Sequence, residues 1–344
     1  MKRRELLKTG AIGAAGSVTF GVPLLLRAAD KYKDEYRMSL VVPPVFAWGK
    51  GGEIFANEVR DRTNGRINMK LYPGSSLVNG RQDREFSAMR QGIIDVLCGA
   101  PINWSGTLRD CASFALPFLI PNHKAWDAVM ASEAVRNEFF SRIDKAGAVP
   151  LAMGEPGYRQ ISNSKRPIIT PADMKGLKIR VVASPMFSDI MSGMGANPVT
   201  MSWADAQPAL SSKAVDGQEN PLEVFMVAKI NKLGQQYVTK WNYSNDPLVF
   251  AIAKPVFNSW SAEDQKIVRE AALDAAEAQV KLVRGLFATD VEDVRALGVE
   301  AHVPTAAETK AWQAATVETR KVWKQKTNPK LVSMIEQVVA ENMG

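Results

Sequence analysis

The chain has 344 residues, with 43 Lys and Arg against 36 Asp and Glu, a formal charge of +7 and the composition of an ordinary globular protein. Residues 1–29 hold five of the basic side chains and one acid, so the rest is close to +3. It contains neither a long Lys/Arg run nor a basic stretch interleaved with aromatics, so a nucleic-acid partner is not expected. The few potential metal ligands outside the carboxylates, Cys98, Cys111, His123 and His302, have no zinc-site spacing.

The N-terminus pairs Arg3-Arg4 with Leu6-Leu7-Lys8, an apolar stretch from Gly10 to Leu26 and small residues at Ala28 and Ala29. This is the layout of an export signal over 1–29, twin-arginine-like or of the Sec type. Pro23, Arg27 and the Gly/Ala content argue against a membrane anchor, and no later stretch is long and apolar enough to cross a bilayer. The remaining length exceeds what one core usually holds, which implies two lobes.

Residues 36–98 read as strand, helix, strand, helix, strand, with strands over 38–42, 67–72 and 95–98 and helices over 52–62 and 83–90. Alternation of this kind implies a parallel sheet with right-handed crossovers. Cys98 lies in the last of these strands, either as a buried free thiol or paired with Cys111 in an oxidising compartment. The same order returns later, with strands over 178–182, 198–201 and 214–217 and helices over 185–194 and 203–211. Each block ends alike: Ala88-Met89, four residues, Ile94-Asp95, and then Ala209-Leu210, four residues, Val215-Asp216. From Ser261, a good N-cap followed by Glu263 and Asp264, an apolar pattern runs to Phe287, long enough for a helix to cross both lobes. Further helices are expected over 306–324 and 330–342, with a break at Asn328-Pro329.

No nucleophile elbow, zinc-protease helix or Walker loop is present. Gly193 and Gly195 follow a helix and precede a strand, the reverse of a dinucleotide loop, and read as a helix C-cap. The informative residues are two arginines at strand positions. Arg180 is flanked by Ile179, Val181 and Val182, and a guanidinium buried there requires an anion, from the protein or from a ligand. Arg159 poses the same question, with an exposed salt bridge as its alternative.

The stretch Ala172-Asp173-Met174-Lys175-Gly176-Leu177-Lys178-Ile179-Arg180, continued by Ala214-Val215-Asp216-Gly217-Gln218-Glu219-Asn220-Pro221-Leu222, resembles the solute-binding proteins of TRAP transporters, of the C4-dicarboxylate-binding type. Arg159-Gln160 with Ser162-Asn163, Tyr72-Pro73-Gly74 and Leu116-Pro117-Phe118 extend the likeness over nearly the whole chain after the signal. The resemblance implies a two-lobed α/β fold of the periplasmic-binding-protein (Venus-flytrap) kind with a long helix crossing both lobes. It implies an N-terminal lobe of residues 30–155 plus about 247–285 and a C-terminal lobe of 156–246 plus about 286–344. The function implied is non-enzymatic: a receptor in the periplasm that closes on a small organic acid and delivers it to TRAP permease subunits in the membrane. No metal or other cofactor is expected.

In such proteins the arginine matching Arg180 forks onto a ligand carboxylate, as a planar guanidinium does and an ammonium cannot. The resemblance gives Arg159 a second ligand contact, Asn220 an amide bond to the same carboxylate and Trp203 an aromatic wall. Val42 to Gly49 reads as a pocket loop, with Trp48 on it and Asn103-Trp104 beside the cleft. Its apolar and aromatic character points to a modest-sized monocarboxylate or keto acid with an apolar part. Two alternatives stay open: the same receptor fold serving a sensor, and a secreted enzyme with Glu219 or Asp216 as base.

Overall fold

The computed structural model describes residues 32–343; the export signal expected over 1–29 lies outside them. The first block builds β1 (Tyr36–Ser39), α1 (Ala47–Arg62), β2 (Met69–Tyr72), α2 (Glu85–Arg90) and β3 (Val96–Gly99). After α3 (His123–Ala131) and α4 (Glu133–Lys145), β4 (Ala148–Gly154) leads into β5 (Arg159–Asn163). The second block follows as β6 (Lys178–Val181), α5 (Pro185–Gly193), β7 (Asn197–Thr200), α6 (Trp203–Ser211) and β8 (Gly217–Asn220). Then come α7 (Leu222–Val227), β9 (Tyr237–Ser244), β10 (Leu248–Ala253) and α8 (Lys254–Asn258). The chain ends in α9 (Ala262–Phe287), α10 (Asp290–Ala296), β11 (Glu300–His302), α11 (Ala306–Lys326) and α12 (Pro329–Met343).

Two sheets result, one of five strands in the order β2-β1-β3-β10-β4 and one of six in the order β11-β9-β5-β8-β6-β7. They are the sheets of two lobes. The blocks at their centres match bond for bond. The carboxylate of Asp95 accepts the amide of Arg37 at 2.8 Å, and that of Asp216 accepts the amide of Lys178 at 2.9 Å. β1 pairs with β3 and β6 with β8 one residue further on in each case, Met38 beside Val96 and Ile179 beside Gly217. The likeness of the two helix-to-strand junctions is therefore structural: Ile94 and Val215 both donate their amides back to the alanine at the start of the motif, Ala88 and Ala209.

Several boundaries differ from the sequence reading by a few residues, as in β1, which lies at Tyr36–Ser39 and not over 38–42, and two of the differences bear on the site. The last strand of the second block lies at Gly217–Asn220, not over 214–217. All four of its residues are buried, and three of them, Gln218, Glu219 and Asn220, are polar or charged, so a search for apolar runs stops where this strand begins. Helix α1 starts at Ala47, which moves Trp48 from the expected loop to the first helical turn. Cys98 and Cys111 are both free and buried, so the disulfide alternative is absent.

The 26-residue α9 starts as expected, with Ser261 Oγ accepting the amide of Asp264 at 3.1 Å. Its buried stripe, Val268, Ala271, Ala272, Ala275 and Ala276, joins the core formed by β1, β3, β10 and Phe55 of α1. Its far end reaches the segment between β4 and β5, where the side chain of Gln279 accepts the amide of Glu155 and donates to its carbonyl. The chain passes between the sheets there, again between β9 and β10, and a third time after α9. Asn245, in the second passage, donates to Glu155 Oε1 at 3.1 Å, so two passages brace each other. Where the lobes face each other, Val41, Val42 and Phe46 of the first pack in one cluster with Trp203, Leu222, Val224 and Phe225 of the second.

Candidate functional site

A cavity of about 30 Å³ lies where the lobes meet, above the roughly 10–15 Å³ that admits a single water. Its wall includes the six residues expected to meet a ligand, Arg159, Arg180, Trp203 and Asn220 from the second lobe and Trp48 and Asn103 from the first, but not Trp104, Asp216 or Glu219. Gln82 lines it too and was not anticipated, because a lone glutamine in a charged turn carries no signal of its own. The elements place these side chains simply. β5 and β6 flank β8 in the sheet, so Arg159, Arg180 and the pair Glu219-Asn220 converge at one edge of three adjacent strands.

Arg159 is internally satisfied. Its guanidinium forks onto both carboxylate oxygens of Glu219, and Nη2 also reaches the Glu219 carbonyl at 2.9 Å and Asn220 Oδ1 at 3.1 Å. Tyr243 donates its hydroxyl to the same carboxylate at 2.8 Å. Burial works against the Arg159 cation, but the charge and hydrogen bonds of Glu219 outweigh it and push the pKa above the usual arginine value. The exposed salt bridge considered for Arg159 is thus replaced by a buried one.

Arg180 is the opposite case. It is 1% exposed, yet among the described residues no carboxylate lies within 4.0 Å of it. Its Nε and Nη2 both donate to one backbone oxygen, the Met201 carbonyl, at 3.1 and 2.9 Å. The ring of Trp203 stands 5.8 Å from the guanidinium carbon, within the range of a cation–π contact. Burial pushes its pKa down to about 10, with Glu219 opposing and Arg159 reinforcing the fall. Arginine stays protonated at neutral pH, so the shift expresses an under-compensated cation. The internal ion pair that the sequence left open for Arg180 is not made.

The other wall residues are held in place. Trp48 donates its indole N–H to the Cys98 carbonyl at 2.7 Å. Asn103 Oδ1 accepts from Gln82 Nε2 at 2.8 Å. Asn220 gives its amide N–H to Gln218 and its oxygen to Arg159. Asp246, in the passage between β9 and β10, is buried, which raises its pKa to about 6 against the pull of Arg159 and the amide of Ile102. The carboxylates considered as catalytic bases are occupied: Glu219 by Arg159 and Tyr243, and Asp216 by the amide of Lys178 and the ammonium of Lys165 at 3.3 Å. Among the described residues no group of three or more His, Cys, Asp or Glu is placed to hold a metal ion, and no helix is long and apolar enough to cross a membrane.

Residues 38–327 match the bacterial extracellular solute-binding protein family 7. The chain is 31% identical over 304 residues to the 2,3-diketo-L-gulonate-binding periplasmic protein of Escherichia coli (strain K12), spanning 87% of this chain and 88% of that one. It is similar to the solved structure of a TRAP periplasmic solute-binding protein from Ralstonia eutropha H16 with bound (S)-2-acetolactate, with a TM-score of 0.88 and 50% identity over 90% of this chain and 100% of that one. A TRAP periplasmic solute-binding protein from Bordetella bronchiseptica, with density assigned to pantoate, has a TM-score of 0.81 and 26% identity over 89% of this chain and 99% of its own.

Proposed function

The chain belongs to the family 7 bacterial extracellular solute-binding proteins, the receptors of TRAP transporters, and we propose that it binds a small monocarboxylate bearing a 2-hydroxy or keto group and a short apolar part. In this reading the lobes close on the acid and hand it to TRAP-type permease subunits, the protein having been exported to the periplasm by the signal at its N-terminus. The observation that carries the reading is Arg180: a buried cation that leans on a carbonyl and an indole face but has no anion of its own.

The charge balance favours one carboxylate. Glu219 neutralises Arg159, so Arg180 is left as the cation that a ligand can satisfy. The small cavity and its wall of Val41, Val42, Trp48 and Trp203 suit a compact acid better than a hydroxyl-rich sugar acid. The Ralstonia relative, half of whose aligned residues this chain shares, holds (S)-2-acetolactate, an acid of that description. Micromolar affinity needs about 8 kcal/mol, of which hydrogen bonds to a charged group supply roughly 1.5–3 kcal/mol each. Apolar burial and a pre-organised site must contribute the rest.

A thermal-shift panel tests this, with 2-acetolactate, pantoate and short 2-keto acids set against succinate and galacturonate. The expected result is stabilisation of the wild type by the first group and none of the Arg180→Ala variant. Equal stabilisation of both proteins, or a response confined to succinate or galacturonate, overturns the reading. The occupied state of Glu219 and Asp216 gives no support to a catalytic role for either.

A further inference from the structure

The lobes are joined across the cavity by two hydrogen bonds that run in opposite directions. In α1 the N-cap is Phe46, whose side chain cannot accept a hydrogen bond, so the first-turn amides of that helix have no local cap. The amide of Ala47 is taken instead by Glu223 of α7, Oε1 at 2.8 Å, 176 residues away in the other lobe. A carboxylate is the group that the positive end of a helix favours. Glu223 is 4% exposed, and burial raises its pKa to about 7 with the Ala47 amide opposing.

The second bond mirrors the first. α6 has Ser202 as its N-cap, but that hydroxyl serves the amide of Asp205. The amide of Trp203 is taken by Gln82 Oε1 from the first lobe at 2.8 Å, across 121 residues. Gln82 is itself held by its other end, Nε2 donating to Asn103 Oδ1, which aims the carbonyl at the helix. The backbones approach closely here, since a Cβ built on Gly80 would stand 3.0 Å from that of Ala204.

We infer that Glu223 and Gln82 are reciprocal latches of the closed form, each capping the first turn of a helix that belongs to the opposite lobe. This rests on the proposed function in that lobe closure is taken to trap the ligand. Parting the lobes breaks both bonds and leaves two helix ends and two side chains to water, so the latches act after the ligand has entered. They are positioning residues: they slow ligand escape and leave the encounter unchanged.

The test is stopped-flow tryptophan fluorescence of the full chain with 2-acetolactate as probe. Glu223→Ala and Gln82→Ala are each expected to raise the dissociation rate by about two- to thirty-fold, the range of a lost helix cap, and Glu223→Ala, which lies outside the cavity wall, should keep association within about two-fold of wild type. Glu223→Gln retains an acceptor oxygen and should recover most of the loss. The ligand-free melting temperature of Glu223→Ala should stay within about 2 °C of wild type, because a latch between lobes adds little to either lobe alone; Gln82→Ala also loses the bond to Asn103 inside its own lobe and is read by dissociation only. Dissociation unchanged in both alanine variants overturns the inference, as does a ligand-free melting temperature of Glu223→Ala that falls along with binding. If the wild type gives no signal with 2-acetolactate, the ligand reading fails separately, and amide exchange decides the latches. Protection of Ala47 lost in Glu223→Ala, and of Trp203 lost in Gln82→Ala, upholds them; unchanged protection at both overturns them.

Discussion

Arg159 and Arg180 lie in one sheet on either side of β8, and both are nearly inaccessible, at 5% and 1% exposure. The first has a carboxylate on its fork and the second has a carbonyl. Equal burial therefore hides opposite accounts. Arg159 and Glu219 recover the cost of leaving water from each other, whereas Arg180, partly offset by the more distant Glu219 and Asp205, stays under-compensated. Depth alone does not separate the two arginines; what each guanidinium is bonded to does.

The largest expected effect separates the two by stability. Arg159→Met leaves Glu219 buried without its cation and should cost the ligand-free protein about 3–5 kcal/mol, read by denaturant unfolding. The double variant Arg159→Met/Glu219→Leu should recover most of that loss, since removing both charges leaves neither uncompensated. If the single variant is as stable as wild type, Arg159 is not the internally paired member of the comparison.

Arg180→Lys sharpens the other side. It keeps the charge but loses the fork, and should weaken 2-acetolactate binding by about 2–3 kcal/mol by calorimetric titration while ligand-free stability stays near wild type. A stability loss without a binding loss would reverse the roles assigned to the two arginines. Smaller again is Tyr243→Phe, which removes one donor from Glu219. It should lower stability by about 1–2 kcal/mol and leave ligand affinity within about three-fold.

A carboxylate outside the cleft supplies a control. Glu138 of α4 is held by Lys330 at 2.6 Å and Arg142, also at 2.6 Å, tying α4 to α12. The Lys330 bond, followed by that of Arg142, holds its pKa well below the ordinary carboxylate range, at about 2. The folded pKa lies below the unfolded one, so this pair stabilises above about pH 4.5 and the contribution fades as pH falls towards 2. Glu138→Gln should flatten that part of the acid unfolding profile, measured by circular dichroism, with no change in ligand binding. A profile identical to wild type would show that the pair contributes nothing.

Much of this was legible in residues 178–182, where apolar neighbours mark a strand and make a central arginine conspicuous. The family motif drew Asn220 and Trp203 to the same place, and the cavity wall includes them. What local reading could not reach was set by partners distant in sequence. β8 escaped the search for apolar runs because it buries Gln218, Glu219 and Asn220, whose polar groups are matched by β5 and β9 residues such as Arg159, Ser162 and Tyr243. The start of α1 lies five residues before the expected one and carries no local cap signal, since the amide of Ala47 is taken by Glu223 from the other lobe. Gln82 had no motif at all; its role follows only from where Trp203 and Asn103 stand in three dimensions.

Whether the anion of Arg180 comes from outside the polypeptide is decided by a crystal structure of the protein grown with 2-acetolactate. The expected result is a ligand carboxylate within hydrogen-bond distance of the Arg180 guanidinium, with Arg159 still forked on Glu219. A ligand whose carboxylate sits elsewhere, or an Arg180 side chain turned onto Glu219 or another protein acid, would contradict it.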